Sequence, residues 1–161
     1  MVIGLLVTIG FGPKIILPGC TQIQLQDGQT GRLLFSKIVV DGEDALLTWH
    51  NSLFDLDVTE KFTTRGGNLV QTAVTFADPR GLPPMHIPPA EIDDFYHTGG
   101  PFTTSGLDRR FSRIVYRIGE IGHPHFSIGT KDIDFKHEVG FGGQVILRTQ
   151  RPTLLDLFRS F

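Results

Sequence analysis

The chain of 161 residues contains one cysteine, one tryptophan and almost no excess of either charge. A lone Cys20 excludes an internal disulfide and leaves the redox compartment of the protein open. The formal net charge is -2 at pH 7, and lysine and arginine are scattered along the sequence. Without a basic stripe, we expect no DNA or RNA partner.

Common catalytic motifs are also missing from the sequence. It has no Gly-rich phosphate loop, no Gly-x-Ser-x-Gly elbow and no Cys-x-x-Cys pair. These absences remove the usual sequence signals of nucleotide binding, serine hydrolysis and thiol redox chemistry. The sequence therefore predicts a noncatalytic protein with no cofactor.

Composition favours a single β domain. The length suits one domain that buries a core without disulfide or metal. Phenylalanine occurs 13 times, glycine 19 times and proline 10 times, a mixture that is typical of short strands joined by turns. We expect this domain to span residues 20–150.

Apolar and polar residues alternate with a period of two in several segments, first where isoleucine and leucine alternate with glutamines at 22–26. Turn signals separate these segments. The pattern predicts an all-β fold, an antiparallel β-sandwich or closed barrel of about eight or nine short strands. The expected strands lie at 22–26, 32–40, 45–49, 58–64, 68–77, 111–118, 126–130, 132–139 and 144–150.

A Pro-rich flap interrupts the strands at 78–106. Its prolines remove backbone donors and favour extended or turn geometry. Its apolar side chains predict an ordered flap, and we expect an exposed apolar patch there that contacts a partner. The residues predicted for that contact are Ile87, Phe95 and Phe102.

Both ends of the chain are apolar. Residues 1–19 are predicted to be a membrane-tethering or signal-like segment, although the apolar run is shorter than the roughly 20 residues of a spanning helix. A first strand or buried arm is the alternative. Gly19-Cys20 is similar to the end of a lipoprotein cleavage box.

The C-terminal tail, 151–161, is predicted to be an amphipathic short helix in which Asp156 pairs with Thr153 at the N-terminus. Its apolar side chains either contact a partner or membrane, or close the end of the sandwich. The residues predicted for partner contact are Leu154, Phe158 and Phe161.

Polar residues cluster within 46–62, LLTWHNSLFDLDVTEKF. Histidine, serine and carboxylates in this segment are residue types that serve as base and nucleophile. The alternative is structural: Asn51 and Ser52 stabilise a turn, and Glu60 accepts a hydrogen bond from a neighbouring donor.

A second polar group surrounds His123 and His125, with Asp132, Asp134 and His137 nearby in sequence. Such side chains are possible zinc ligands. The spacing is looser than in common metal motifs, so we expect a turn at 122–125 and a hydrogen-bonded core-edge role for His137. No bound metal is predicted.

The segment 46–62 resembles the signature of a small bacterial domain family of unknown function, often encoded beside TAXI-type TRAP transporters. That signature reads roughly Thr-aromatic-Thr-His-Ser-Val, then Pro-Val-x-Glu. Ser52, Val58, Glu60 and Phe62 keep it, whereas Asn51 replaces histidine and Asp57 replaces proline.

The family also has a loop resembling Gly-Ala-Gly-Leu-Pro, where this chain has Arg80-Gly81-Leu82-Pro83. The resemblance implies an exported domain tethered at the periplasmic face of the inner membrane. The residues that it suggests for binding are Asn51, Ser52, Glu60, Arg80 and Leu82.

Two functions follow as hypotheses. The first is a noncatalytic accessory or interaction subunit of a bacterial membrane complex, and the resemblance suggests a transporter as its partner. The alternative is a periplasmic domain that binds a small ligand or metal between the flap and the 51–60 turn, with possible hydrolytic activity. A pocket where Ser52, Glu60 and a histidine converge would favour the alternative.

Overall fold

A computed structural model describes residues 15–158 of the protein. This part of the chain forms eleven strands, three short helices and a 3-10 turn at Pro89–Glu91. The strands and helices are β1 Cys20–Asp27, β2 Leu33–Val40, β3 Asp44–Asn51, β4 Leu56–Arg65, β5 Asn68–Ala77, β6 Met85–His86, α1 Ile92–Thr98, β7 Phe102–Phe111, β8 Arg113–Arg117, β9 His125–Ile128, β10 Lys131–Asp134, α2 Phe135–Val139, β11 Gln144–Gln150 and α3 Leu154–Phe158.

The strands form two open sheets. The smaller sheet has the order β2-β1-β11-β8, and the larger has the order β10-β9-β3-β4-β5-β7-β6. All pairs are antiparallel except the short β6–β7 pair. The predicted all-β, sandwich-like fold is confirmed. The closed-barrel alternative is wrong because neither sheet closes on itself.

The first apolar cluster lies between the two sheets. Ile23 and Leu147 of the smaller sheet pack with Leu47, Phe62 and Phe126 of the larger one, and all five side chains are buried. These residues come from β1, β11, β3, β4 and β9, so the cluster ties together strands that are distant in sequence. This cluster is the core of the sandwich.

The second apolar cluster lies beside the first and is closed by the flap. Ile87 and Ile92 of the flap are buried against Val58, Phe76 and Phe102 of the larger sheet. Along β4 the positions alternate in and out of the core, so Val58 of the second cluster and Phe62 of the first lie on the same face. The larger sheet is therefore covered partly by the smaller sheet and partly by the flap.

This packing corrects the prediction for the flap. The flap is ordered, as expected, but Ile87 and Phe102 are not exposed partner contacts, because both are buried in the second cluster. Phe95 is partly buried and packs against the same cluster. The predicted flap also ended too late, because 102–106 already belongs to β7.

Two local predictions for single strands are also wrong. The sequence pattern placed Val70, Thr72, Val74 and Phe76 on one face, but a register shift opposite Lys61 and Phe62 makes Thr72 an extra residue in β5. Such a bulge reverses the alternation on one side of itself. Gln71 is consequently turned toward the core and buried.

The strand expected at 132–139 stops at Asp134, where α2 begins. The Asp134 side chain accepts hydrogen bonds from the backbone N–H groups of Lys136 and His137, at 2.8 and 3.1 Å. This is an N-cap, and it stabilises a helix start over continuation of a strand. His137 is exposed on α2 and does not lie at the core edge as predicted.

The ends of the described chain lie side by side. Ile16 forms a β-bridge with Thr153, and the Leu17 N–H donates to the Pro152 carbonyl at 2.9 Å. The short C-terminal helix is confirmed, and its Asp156 accepts from the Thr153 backbone N–H at 2.8 Å. Most of the predicted tethering segment, 1–14, and Phe161 lie outside the described residues. Within 15–158 no helix is long and apolar enough to cross a membrane.

The burial of Phe102 on β7 gives a direct test of the second cluster. Phe102→Ala should lower the free energy of unfolding by about 3–5 kcal/mol, because it removes a large buried side chain. Met85→Ala on the neighbouring strand β6 is the matched control, since Met85 is 56% exposed whereas Phe102 is 1% exposed. Urea unfolding measures both. Equal, small effects would contradict the packing described here.

Candidate functional site

One carboxylate lies on the core face of the larger sheet. Glu60 is paired across strands with Leu47 on β3 and with Val74 on β5, and both neighbours are fully buried. Along β4 it stands between Val58 of the second cluster and Phe62 of the first. Glu60 therefore lies at the junction of the two apolar clusters.

Two neutral donors hold this carboxylate. The Trp49 indole Nε1 donates to Oε1 at 3.2 Å, and the Gln71 amide Nε2 donates to Oε2 at 2.7 Å. Within the described part of the chain, no cationic side chain forms an ion pair with Glu60. Burial raises the pKa of Glu60, and the two hydrogen bonds oppose this rise without cancelling it. The predicted structural role of Glu60 as an acceptor is confirmed.

The junction depends on Trp49 and on the bulge in β5. Trp49 packs against both apolar clusters, so its ring spans the boundary between the two covers of the larger sheet. The bulge turns Gln71 inward, so that its amide reaches Glu60. Together these features place a hydrogen-bonded acid where an apolar side chain would otherwise be expected.

A cleft of about 390 Å³ opens onto this acid. Trp49, Glu60 and Tyr116 line it, and Tyr116 comes from β8, the edge strand of the smaller sheet. The remaining walls come from the end of β3 with the β3–β4 turn, and from β8 with the loop that follows it. Those residues are His50, Asn51, Ser52, Leu53, Val115, Arg117, Gly119, Ile121, Gly122 and Pro124.

The charge of Glu60 affects the pKa values of two tyrosine hydroxyl groups near the cleft. Burial raises the pKa of Tyr116, and the Glu60 charge raises it further. Burial also raises the pKa of Tyr96 to about 12, again with a contribution from Glu60. Both phenols therefore stay neutral at physiological pH, and the Glu60 carboxylate has aromatic rings around it.

The β3–β4 turn forms one lip of the cleft. The Asn51 side-chain oxygen accepts from the backbone N–H groups of Leu53 and Phe54, at 3.0 and 3.3 Å. This confirms the structural role that the sequence suggested for Asn51. Phe54 packs toward the flap, where a Cβ on Gly99 would approach its ring to 2.5 Å. Only glycine fits at position 99, so the turn and the flap end are in close contact.

His50 is engaged by carboxylates on the outer side of this turn. Its Nδ1 lies 2.9 Å from Asp57 Oδ1, and its Nε2 lies 3.4 Å from Asp55 Oδ1. Within residues 15–158 no hydrogen bond joins Ser52 to His50 or to Glu60. The cleft therefore brings together serine, histidine and glutamate without the nucleophile–base contact that acyl transfer requires.

The other histidines do not assemble a metal site. On the β9–β10 hairpin, His125 Nδ1 lies 3.0 Å from Asp132 Oδ2, and Ser127 donates to the same carboxylate. Among the residues that the structure describes, no three His, Cys, Asp or Glu side chains are placed to hold a metal ion.

The residues predicted for binding are only partly brought together. Asn51, Ser52 and Glu60 line the cleft, but Arg80 and Leu82 do not. Arg80 pairs with Asp78 at 2.9 Å, and Leu82 is exposed. The wall opposite the turn is β8 with its following loop, and not the flap as predicted.

The aromatic part of the site was not predicted from the sequence. Trp49 and Tyr116 lie on the core face of their strands, so each was grouped with the core. The two side chains meet at the cleft because the smaller sheet packs on the larger one, and no pattern in the sequence indicates this long-range packing.

Comparison with known proteins gives no matching family model, no similar curated protein and no similar solved structure. The resemblance of 46–62 to the transporter-adjacent family therefore stays a prediction, and the site is interpreted from its own geometry.

The raised pKa of Glu60 predicts a pH effect on stability. Between the unfolded and folded pKa values, the folded protein keeps a proton that the unfolded chain has lost, so the Glu60 contribution to the free energy of unfolding falls as pH rises. Glu60→Gln removes this fall. Urea unfolding from pH 4 to 7 should show the variant gaining stability relative to wild type as pH rises. A difference that is constant with pH would contradict the raised pKa.

Proposed function

We propose that the cleft binds a small organic amine with an apolar body. The observation that carries this proposal is the Glu60 carboxylate, which accepts only from neutral donors and forms no ion pair among the described residues, although Arg117 also lines the cleft. A ligand ammonium group would supply the missing positive charge in a partly desolvated place, where it interacts more strongly than in water.

The walls of the cleft suit the rest of such a ligand. Trp49 and Tyr116 present aromatic rings beside the carboxylate, and aromatic faces attract organic cations. At the mouth, Leu53 is 80% exposed and Ile121 is 60% exposed. These two apolar side chains would be partly covered by the body of a bound ligand.

A charge series with one common body tests this proposal. Calorimetry with 2-phenylethylamine, 2-phenylethanol and phenylacetate should detect binding of the amine and much weaker binding of the other two. Glu60→Gln should weaken amine binding by about tenfold or more, because it removes a charged hydrogen-bond acceptor. Equal binding of amine and phenylacetate would overturn the proposal.

Controls separate charge from folding. Glu43→Gln removes a carboxylate that pairs with Lys37 at 3.0 Å, away from the cleft, and should leave amine binding unchanged. Ile121→Lys at the exposed mouth should repel the amine without touching the core. Val40→Lys, at another exposed apolar position, is its matched control and should have no effect.

A second proposal is the accessory role suggested by the sequence: a noncatalytic interaction subunit, exported and tethered at the periplasmic face of a membrane beside a transporter complex. Its support is a terminal patch, defined here as Ile15, Ile16, Leu154, Leu155 and Phe158, all of which are exposed. Backbone hydrogen bonds join its two ends, and the apolar segment 1–14 continues from it in sequence.

Vesicle co-sedimentation of the full chain tests the terminal patch. Leu155→Glu combined with Phe158→Glu should reduce association with phospholipid vesicles several-fold, because it places two charges on an apolar surface. Phe141→Glu is the control, since Phe141 is similarly exposed on the turn before β11. An equal reduction by the control, or no association of the wild type, would count against membrane docking.

A further inference from the structure

The outer face of the smaller sheet carries three arginines without acidic partners. Arg113 and Arg117 lie on β8 and Arg148 lies on β11, and all three are exposed. They alternate with Ile114, Tyr116 and Leu147, which pack into the sandwich core. The three arginines therefore lie on the outward face of the sheet, which we call the Arg/Gln face, and Arg117 at the end of β8 also borders the cleft.

Two of the positive charges on this face repel each other, which lowers the stability of the fold. Arg113 and Arg148 are directly opposite in the β8–β11 register, and like charges in such pairs are destabilising. No ion pair joins Arg113, Arg117 or Arg148 to a carboxylate in the described chain. Other arginines do pair with acids, namely Arg32 with Glu138, Arg65 and Arg110 with Asp108, Arg80 with Asp78, and Arg109 with Asp93.

Amide groups extend the arginine row across the sheet. Gln24 is opposite Arg148 in the β1–β11 register. Beside it, the Gln150 amide donates to Gln22 at 2.8 Å, and the Gln22 amide donates to the Ser36 hydroxyl at 3.3 Å. The outward positions of β1, β8 and β11 contain no aspartate or glutamate. Gln22 is buried and supports the row from below, whereas Gln24 and Gln150 are accessible. This face offers amides and positive charge on a protein whose net charge is negative.

We propose that the Arg/Gln face binds an acidic oligosaccharide. Guanidinium groups bind carboxylates or sulfates through paired hydrogen bonds, and glutamine amides suit sugar hydroxyls. Val115, which is 36% exposed, lies between Arg113 and Arg117 along β8 and suits the C–H face of a sugar ring. The outward positions of β1, β8 and β11 contain no aromatic ring on which nucleic acid bases would stack.

The test uses oligogalacturonate as the acidic probe and a neutral gluco-oligosaccharide of the same length. Calorimetry at low salt should detect the acidic chain alone, and binding should weaken as salt is raised. Arg113→Gln with Arg148→Gln should weaken it by about tenfold or more. Arg65→Gln with Arg110→Gln is the matched control, because it removes the same charge from arginines that share Asp108.

Several results would overturn the proposal: no binding of oligogalacturonate, equal binding of the neutral chain, equal loss in both double variants, or tighter binding of single-stranded DNA of the same charge.

Arg148→Gln should also raise the melting temperature of the ligand-free protein at low salt, since it removes the opposed charge. The double variant should bind 2-phenylethylamine as wild type does, so failure here and failure of the cleft proposal are distinguishable.

Discussion

One carboxylate on the core face, that of Glu60, determines how the site of this protein is organised. Glu60 stands in a row of apolar side chains on the core face of the larger sheet, between Leu47 and Val74. Removing an acid from water costs free energy unless its oxygens are satisfied. The Trp49 and Gln71 donors meet this requirement. Two features offset the cost of burying this acid. Trp49 spans both clusters, and the bulge in β5 turns Gln71 inward.

The cleft results from the different sizes of the two sheets. A four-stranded sheet packs against a seven-stranded one, so part of the larger sheet needs another cover, and the flap supplies it through Ile87 and Ile92. Where the two covers meet, edge strand β8 stands over Trp49 and Glu60 and leaves a cavity. The flap therefore closes the second cluster with buried apolar side chains.

Local patterns predicted most of the sheet strands. Alternating glutamines identified β1, and Gly or Asp-Gly turns separated the early hairpins, because these signals act within a few residues. The Asp134 cap overrode the strand alternation that had been extended to position 139. In β7, Gly106 and neighbouring polar residues concealed a strand. Open sheets rather than a barrel result from long-range pairing, which sequence periods do not encode.

The same limit applies to the site. The cluster at 46–62 pointed to Asn51 and Glu60, because acids and amides beside apolar runs are visible in sequence. Tyr116 and Arg117 joined them only through the β8–β11 pairing, and the inward turn of Gln71 needed a bulge with no clear sequence signal. Neither of these features follows from residue spacing.

The most direct measurement of the central claim is the titration of the Glu60 side-chain carboxyl carbon by NMR, with and without 2-phenylethylamine. We expect a pKa of Glu60 above the ordinary glutamate value in the free protein, because burial disfavours the charged form. With amine bound we expect a lower pKa, because the ammonium stabilises the carboxylate. An ordinary pKa that does not respond to the amine would contradict both the raised pKa and the amine site.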